Sequence, residues 1–174
     1  MNWFKQAKKE EYKGWTAVKL NTSLSKKIQQ WGRDNVPSSE LSADGRETDH
    51  HITLLYGIHT KNREVVKKLL TIEKPVKAIL GKIGCFTKNN GFDVVIIKIN
   101  SPDLHRLHKK IKEELNVKLT HDVYVPHCTI AYVKKGEAMK YAGKTIFQGE
   151  KITFNKIIFK DGVSEEETII PLKK

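Results

Sequence analysis

His51-Ile52-Thr53-Leu54-Leu55-Tyr56 returns later in the chain as His127-Cys128-Thr129-Ile130-Ala131-Tyr132. Both copies read His, any residue, Thr, aliphatic, any residue, Tyr. A unit stated twice in one chain usually reflects structure built twice. Here the repeated unit carries histidine, the side chain best suited to proton transfer near neutral pH. With seven histidines present, a bare His-x-Thr arises easily by chance. The matching aliphatic and Tyr positions, the strand context and a preceding loop in both copies set this pair apart.

Working outward, each copy follows the same order of elements. Residues 15–20 read as a strand. A helix follows, with Thr22 or Ser23 as N-cap and Leu24, Ile28 and Trp31 at helical spacing up to Gly32. Residues 35–50 are polar and rich in turn-formers, which predicts a long loop and, at that length, a lid over a site. The first motif is then a strand ending at Gly57, followed by a helix over residues 62–72. Residues 76–86 alternate as a strand, with Gly81 and Gly84 as bulge positions. Asn90-Gly91 predicts a hairpin to a partner strand at 92–99. Ser101 and Pro102 open the clearest helix, whose buried stripe is Leu104, Leu107, Ile111 and Leu115. A second polar loop, residues 117–125, leads into the second motif. After it come a helical piece near 137–142, a strand over 152–159, a turn at Asp161-Gly162 and a last strand over 168–172.

Strand, helix, long loop, His-Thr strand, helical piece and strand therefore occur twice. The class this predicts is α+β: a bilobal, duplicated fold of mainly antiparallel sheet with helices outside and a central groove. A chain of 174 residues and 20.0 kDa fits one domain burying roughly 70% of its unfolded surface. The expected lobes are about 12–88 and 91–174.

On a strand, residues two apart share a face, so His51 lies with Thr53 and His127 with Thr129. The alternation places Ile52, Leu54 and Tyr56, and likewise Cys128, Ile130 and Tyr132, on the core side. Two imidazoles facing each other across a cleft are what acid/base cleavage of a phosphodiester needs: one takes a proton from the attacking oxygen, the other gives one to the leaving oxygen. The Thr hydroxyls then hydrogen-bond the non-bridging phosphoryl oxygens and stabilise charge developing there. No metal or other cofactor is called for.

Composition bounds the alternatives. The net charge is +12 and the pI about 9.6, with lysine scattered in pairs. Such a surface draws anions without specifying where they bind. Cys85 and Cys128 are too few for a disulfide scaffold and lack metal-ligand spacing. Residues 1–15 have no apolar signal core, and the most apolar run, residues 94–99, contains Lys98 and is too short to span a bilayer. The expectation is a cytoplasmic monomer with no membrane association.

The tetrapeptides His51-Ile52-Thr53-Leu54 and His127-Cys128-Thr129-Ile130 resemble the paired signature of the 2H phosphoesterases, the LigT-like or 2'-5' RNA ligase-like superfamily. Pro126 and the Leu55-Tyr56-Gly57 ending are also similar to that family. The resemblance covers most of the chain in layout, though only the two motifs are specific. It implies a bilobal fold with His51, Thr53, His127 and Thr129 lining a central groove, and metal-independent cleavage of phosphodiesters in a nucleotide, cyclic oligonucleotide or short RNA. The compact layout looks most like small bacterial or phage-encoded members. A non-catalytic basic RNA-binding module on the same fold is the alternative.

Base and phosphate contacts are the least specified. Tyr12 and Tyr124, ahead of a strand and a motif, are candidates to stack on a base, and Arg46 is a candidate to reach a phosphate. His50 reads as a strand-edge residue. His105 and His108 lie on the clearest helix without completing a metal site, and read as a solvated face. Cys128 faces away from its flanking His and Thr, which argues against a Cys/His nucleophile.

Overall fold

The computed structural model describes residues 13–164 and 166–174. The elements in order are β1 (Gly14–Lys19), α1 (Thr22–Asn35), β2 (Leu41–Arg46), β3 (His51–Ile58), α2 (Arg63–Leu70), β4 (Val76–Phe86), β5 (Phe92–Asn100), α3 (Pro102–Glu114), β6 (His127–Lys134), β7 (Lys151–Phe154), β8 (Lys156–Lys160) and β9 (Glu167–Pro171). Every strand pairing among the described residues is antiparallel. The strand order is β7-β4-β5-β6-β3-β1-β8-β9, with β2 also paired to β6. The fold is α+β, as the alternation of periods predicts.

The sheet is symmetric about the seam between β6 and β3. Outward on one side run β5, β4 and β7; on the other, β1, β8 and β9. The strand order does not divide the chain near residue 90. β4 joins the β6 side, and the C-terminal β8 and β9 return to β1. The expected strand over 152–159 breaks at Asn155, and its two parts pair on opposite sides of the molecule, β7 with β4 and β8 with β1. Alternation of apolar residues cannot reveal such a handover, because both parts keep the same period.

Residues 35–50 are not a lid. Most of the segment is a 3₁₀ turn at Ser38–Glu40 followed by β2, which pairs with the far part of β6. Its polar composition reflects an edge strand with little buried surface. The other polar segment does the same in miniature: Val117 bridges Ile58 at the far end of β3. Each loop leading into one motif thus covers the open edge of the other motif's strand.

The helices pack behind the sheet. In α1, Asn21 rather than Thr22 or Ser23 is the N-cap, its side chain accepting from Leu24 N at 2.9 Å. The helix does not stop at Gly32. It continues to Asn35, and Gly32 is where it crosses beneath β6, a Cβ there standing 3.4 Å from the Ile130 side chain. Burying Leu24 and Ile28 contributes roughly 1.5–3 kcal/mol each. Ser101 caps α3 and Pro102 opens it, with Leu104, Leu107 and Ile111 buried. The hairpin of β4 and β5 forms as Asn90-Gly91 predicts, with Gly91 at φ +84°.

Candidate active site

The seam positions the motifs. Ile52 of β3 pairs with Cys128 of β6, antiparallel. Continuing that register one residue each way sets His51 opposite Thr129 and Thr53 opposite His127. The two histidines are then diagonal neighbours on one face, a relation that separates positions by about 7–8 Å. Ile52 and Cys128 between them are fully buried on the other face. Burial also pushes the Cys128 thiol pKa well up, so it is a core residue in both position and chemistry.

Each histidine is oriented in the same way. His51 Nδ1 lies 2.7 Å from the Asp49 carbonyl, and His127 Nδ1 lies 2.7 Å from the Val125 carbonyl. A carbonyl only accepts, so Nδ1 carries the proton in both rings and Nε2 is the nitrogen left for chemistry. Each ring also rests against an aromatic: His51 on Trp15, centroids 5.4 Å apart and tilted, and His127 on the edge of Phe86 at 4.7 Å. Burial lowers the pKa of His127, and the nearby His51 and His121 add to the effect against the opposing Val125 hydrogen bond.

The tyrosines of the repeat are not on the core side. Ala17 of β1 is paired with Thr53, and the next pair is Thr16 with Leu55, so Leu54 is an extra residue in β3. In β6, Ile96 pairs with Thr129 and Val95 with Ala131, so Ile130 is extra in the same place. A β-bulge puts two residues opposite one and resets the alternation. Leu54 and Leu55 are therefore both buried, as are Ile130 and Ala131, and Tyr56 emerges 43% exposed. Tyr56 and Tyr132 both line a groove of about 860 Å³ together with Thr53, Thr129 and His127. His51 is outside that lining, two residues back along β3 from Thr53. The period-2 rule fails here because it assumes an unbroken strand.

The bulges are anchored by different means. The Leu54 carbonyl accepts from His108 Nδ1 at 2.7 Å, and the Thr53 carbonyl accepts from the Tyr124 hydroxyl at 2.8 Å. His108 stacks flat on Tyr124, centroids 4.1 Å apart, and His105 meets the same ring edge-on. His108 is therefore a half-buried structural residue and not part of the solvated helix face that the sequence predicts. In the second motif, the Ile130 carbonyl accepts from the Glu47 backbone N–H at 2.9 Å.

Of the substrate-binding candidates, Tyr124 lines the groove, with its hydroxyl spent on Thr53 and one ring face covered by His108. Arg46 is not among the groove-lining residues. Its guanidinium donates to the Gly32 and Val36 carbonyls at the C-terminal end of α1, where a cation offsets the helix dipole. Tyr12 lies outside the described residues. His50 is not at an exposed edge: it is buried, with Nδ1 2.7 Å from Ser25 Oγ.

Two lysines beside the histidines carry no sequence signal. Lys19 pairs across the strands with His51, and Lys98 with His127. Lys19 is bound to Asp49 at 3.0 Å and Glu167 at 2.7 Å. Burial opposes its charge, but those carboxylates outweigh it and raise the pKa. Lys98 lies over Gly84, where a Cβ would stand 2.7 Å from its Cε, and no ion pair holds it among the described residues. Only strand register identifies this pair, and register is not written in local composition.

A bilobal antiparallel sheet with paired His-x-Thr strands at its seam defines a class, the 2H phosphoesterase fold. Residues 21–155 match the sequence model of the 2'-5' RNA ligase superfamily, and the chain belongs to that superfamily. Among solved structures it is similar to TT0787 of Thermus thermophilus, with TM-score 0.64 and 16% identity over 93% of this chain and 100% of that one. It is also similar to E. coli LigT complexed with 3'-AMP, with TM-score 0.61, 16% identity and coverage of 93% and 95%. Usb1 of Kluyveromyces marxianus gives TM-score 0.60, 12% identity and coverage of 92% and 98%. No curated protein matches by sequence. No helix among the described residues is long and apolar enough to cross a membrane.

Proposed function

We propose that the chain is a phosphodiesterase of 2H type acting on a nucleotide, cyclic oligonucleotide or short RNA, with His51 and His127 as the acid/base pair. The observation that carries this reading is the matched orientation of the two imidazoles. Both have Nδ1 tied to a carbonyl two residues back, so both offer Nε2 from diagonal positions on one face. His127, whose neutral form is favoured by desolvation, takes the proton from the attacking water or hydroxyl. The new phosphorus–oxygen bond forms as the old one breaks, and His51, as the general acid, gives a proton to the leaving oxygen. Thr53 and Thr129 orient the phosphoryl group, and Lys98 offsets its growing charge. These steps use only the chain's own side chains. The 3'-AMP bound to E. coli LigT supports a nucleotide as the ligand class.

The test is a panel of 2',3'-cyclic nucleotides, 2'-5' and 3'-5' oligonucleotides and cyclic di- and trinucleotides, with products identified by mass spectrometry. Turnover of at least one phosphodiester, undiminished by EDTA, is expected. Loss of turnover on chelation overturns the metal-independent mechanism. Salt-dependent binding with no product anywhere in the panel replaces it with a non-catalytic RNA-binding module.

A further inference from the structure

Past His127 and Thr129, the groove runs out over β4, β5 and β6. Phe86 of β4 pairs with Val94 of β5, and Val94 with Tyr132 of β6, so the three stand abreast across the sheet. All three line the groove, and Phe92 joins them with its ring centroid 6.2 Å from that of Tyr132, edge to face. Val94 is buried and forms a floor, while Phe86, Phe92 and Tyr132 are half-buried and keep part of each ring open. The Phe86 ring also meets His127, centroids 4.7 Å apart, so this apolar surface begins at the histidine.

The turn joining β4 to β5 adds polar groups to it: Thr87, Lys88 and Asn89 line the same groove. Lys135, held by the buried Asp93 at 3.0 Å, donates to the Thr87 carbonyl and, at 3.1 Å, to the Asn89 carbonyl. Asp93 also accepts from Gly136 N at 2.8 Å. A buried carboxylate thus fixes the turn through its backbone and leaves the side chains unused. Among the described residues, neither the Asn89 amide nor the Lys88 ammonium has a hydrogen bond or ion pair. An amide presents a donor and an acceptor side by side, the pattern that pairs with the edge of a base.

The other half of the sheet is furnished differently. Trp15 meets His51 as Phe86 meets His127, but Lys160 Nζ stands 5.6 Å from its ring centroid, and Trp15 is not part of the groove lining. At the turn after β8, Asp161 is spent on the Val163 and Ser164 N–H groups, each at 2.8 Å, and on Arg63 at 3.5 Å.

We infer that the surface on the β6 side is a nucleobase subsite, with Phe92 and Tyr132 as the stacking platform and Asn89 as the residue that selects the base. The inference rests on the phosphodiesterase reading and narrows its substrate to one carrying a base beside the scissile phosphate. From Thr129 to Tyr132 the strand advances roughly 10 Å at most, within the reach of a single nucleotide from its phosphate to the far edge of its base. Aromatic rings hold every base in much the same way, so the choice among bases falls to the amide.

The experiment measures binding of the four 3'-mononucleotides and of ribose 3-phosphate, which keeps the sugar and phosphate and lacks the base, by nuclear magnetic resonance titration. The wild type should bind its preferred nucleotide about tenfold more tightly than ribose 3-phosphate, and should separate the best from the worst base by about tenfold. Asn89→Ala, in the turn, should flatten that separation while a base still improves on the bare sugar phosphate. Phe92→Leu should lower the affinity for all four nucleotides together and keep their order. Equal affinity of the wild type for ribose 3-phosphate and every nucleotide overturns the subsite. An unchanged order and spread of bases in Asn89→Ala overturns the role of the amide. None of these readings needs turnover, so base-dependent binding with no cleavage of any substrate upholds the subsite and sinks the catalytic reading alone.

Discussion

The two halves of the site share a backbone plan and differ in their surroundings. Both motifs have a histidine tied by Nδ1 to the carbonyl two residues back, a threonine on the same face, a bulge, and a tyrosine turned into the groove. Around His51 the neighbouring lysine is neutralised by Asp49 and Glu167. Around His127 the neighbouring Lys98 has no such partner among the described residues, and burial depresses the imidazole pKa. Duplication supplies two equivalently oriented imidazoles. In the proposed mechanism their environments divide the labour: desolvation favours the neutral form of the half-buried His127, the residue proposed as the base.

The strongest way to break this comparison is to remove one half. His51→Ala and His127→Ala should each lower kcat by about 10²–10⁴-fold, with circular dichroism unchanged. Full turnover in either single variant would falsify the paired-histidine mechanism. The bulges provide the next contrast. The Leu54 carbonyl depends on a side chain, His108, whereas the Ile130 carbonyl is satisfied by a backbone N–H that mutation cannot delete. His108→Ala should cost about 1–3 kcal/mol of stability by leaving a buried acceptor unsatisfied, measured by urea denaturation. It should also lower kcat, because Thr53 precedes the released bulge. An unchanged denaturation midpoint would show that water replaces the imidazole without loss.

A smaller effect separates the lysines. Lys98→Ala should reduce kcat about tenfold, as the loss of one group stabilising transition-state charge, while leaving substrate affinity less affected. Lys19→Ala removes a charge already balanced by two carboxylates, so its kcat should change less. Equal losses in both variants would show that the ion pairs around Lys19 do not screen it from the phosphoryl group.

The repeat makes the seam legible without coordinates: His51 and Thr53, and His127 and Thr129, do share faces, because alternation holds across three residues. It misleads at Tyr56 and Tyr132 because a single inserted residue, Leu54 or Ile130, reverses every position beyond it. Nothing in an aliphatic residue announces a bulge, though two adjacent apolar residues before the Tyr in each copy are a faint sign. Gly32 reads as a helix stop, yet its lack of a side chain serves the contact with Ile130 and α1 runs on past it. Arg46 is close in sequence to His51, yet its strand directs it to the end of α1. Lys19 and Lys98 stand beside the histidines only through cross-strand register, which depends on pairings between residues far apart in the chain.

The finest test concerns what lowers the pKa of His127. Burial is the main cause of its lowered pKa and the charge of His51 a lesser one. In the wild type, the acidic limb of the kcat/KM profile should therefore fall below the ordinary histidine value of about 6.5. Nuclear magnetic resonance titration of the His127 ring should give the same low pKa. In His51→Ala the value should rise, because a like charge is gone, yet remain below about 6.5, because the ring is still buried. A return to the ordinary value would make the histidine pair, rather than burial, the source of the asymmetry. The same sign governs stability. His50, His108 and His127 are all depressed chiefly by burial, so below about pH 6.5 the unfolded chain binds protons that the folded chain refuses. Stability should decline as the pH falls from there toward the depressed native values. The decline should be shallower in His108→Ala, which has one such group fewer.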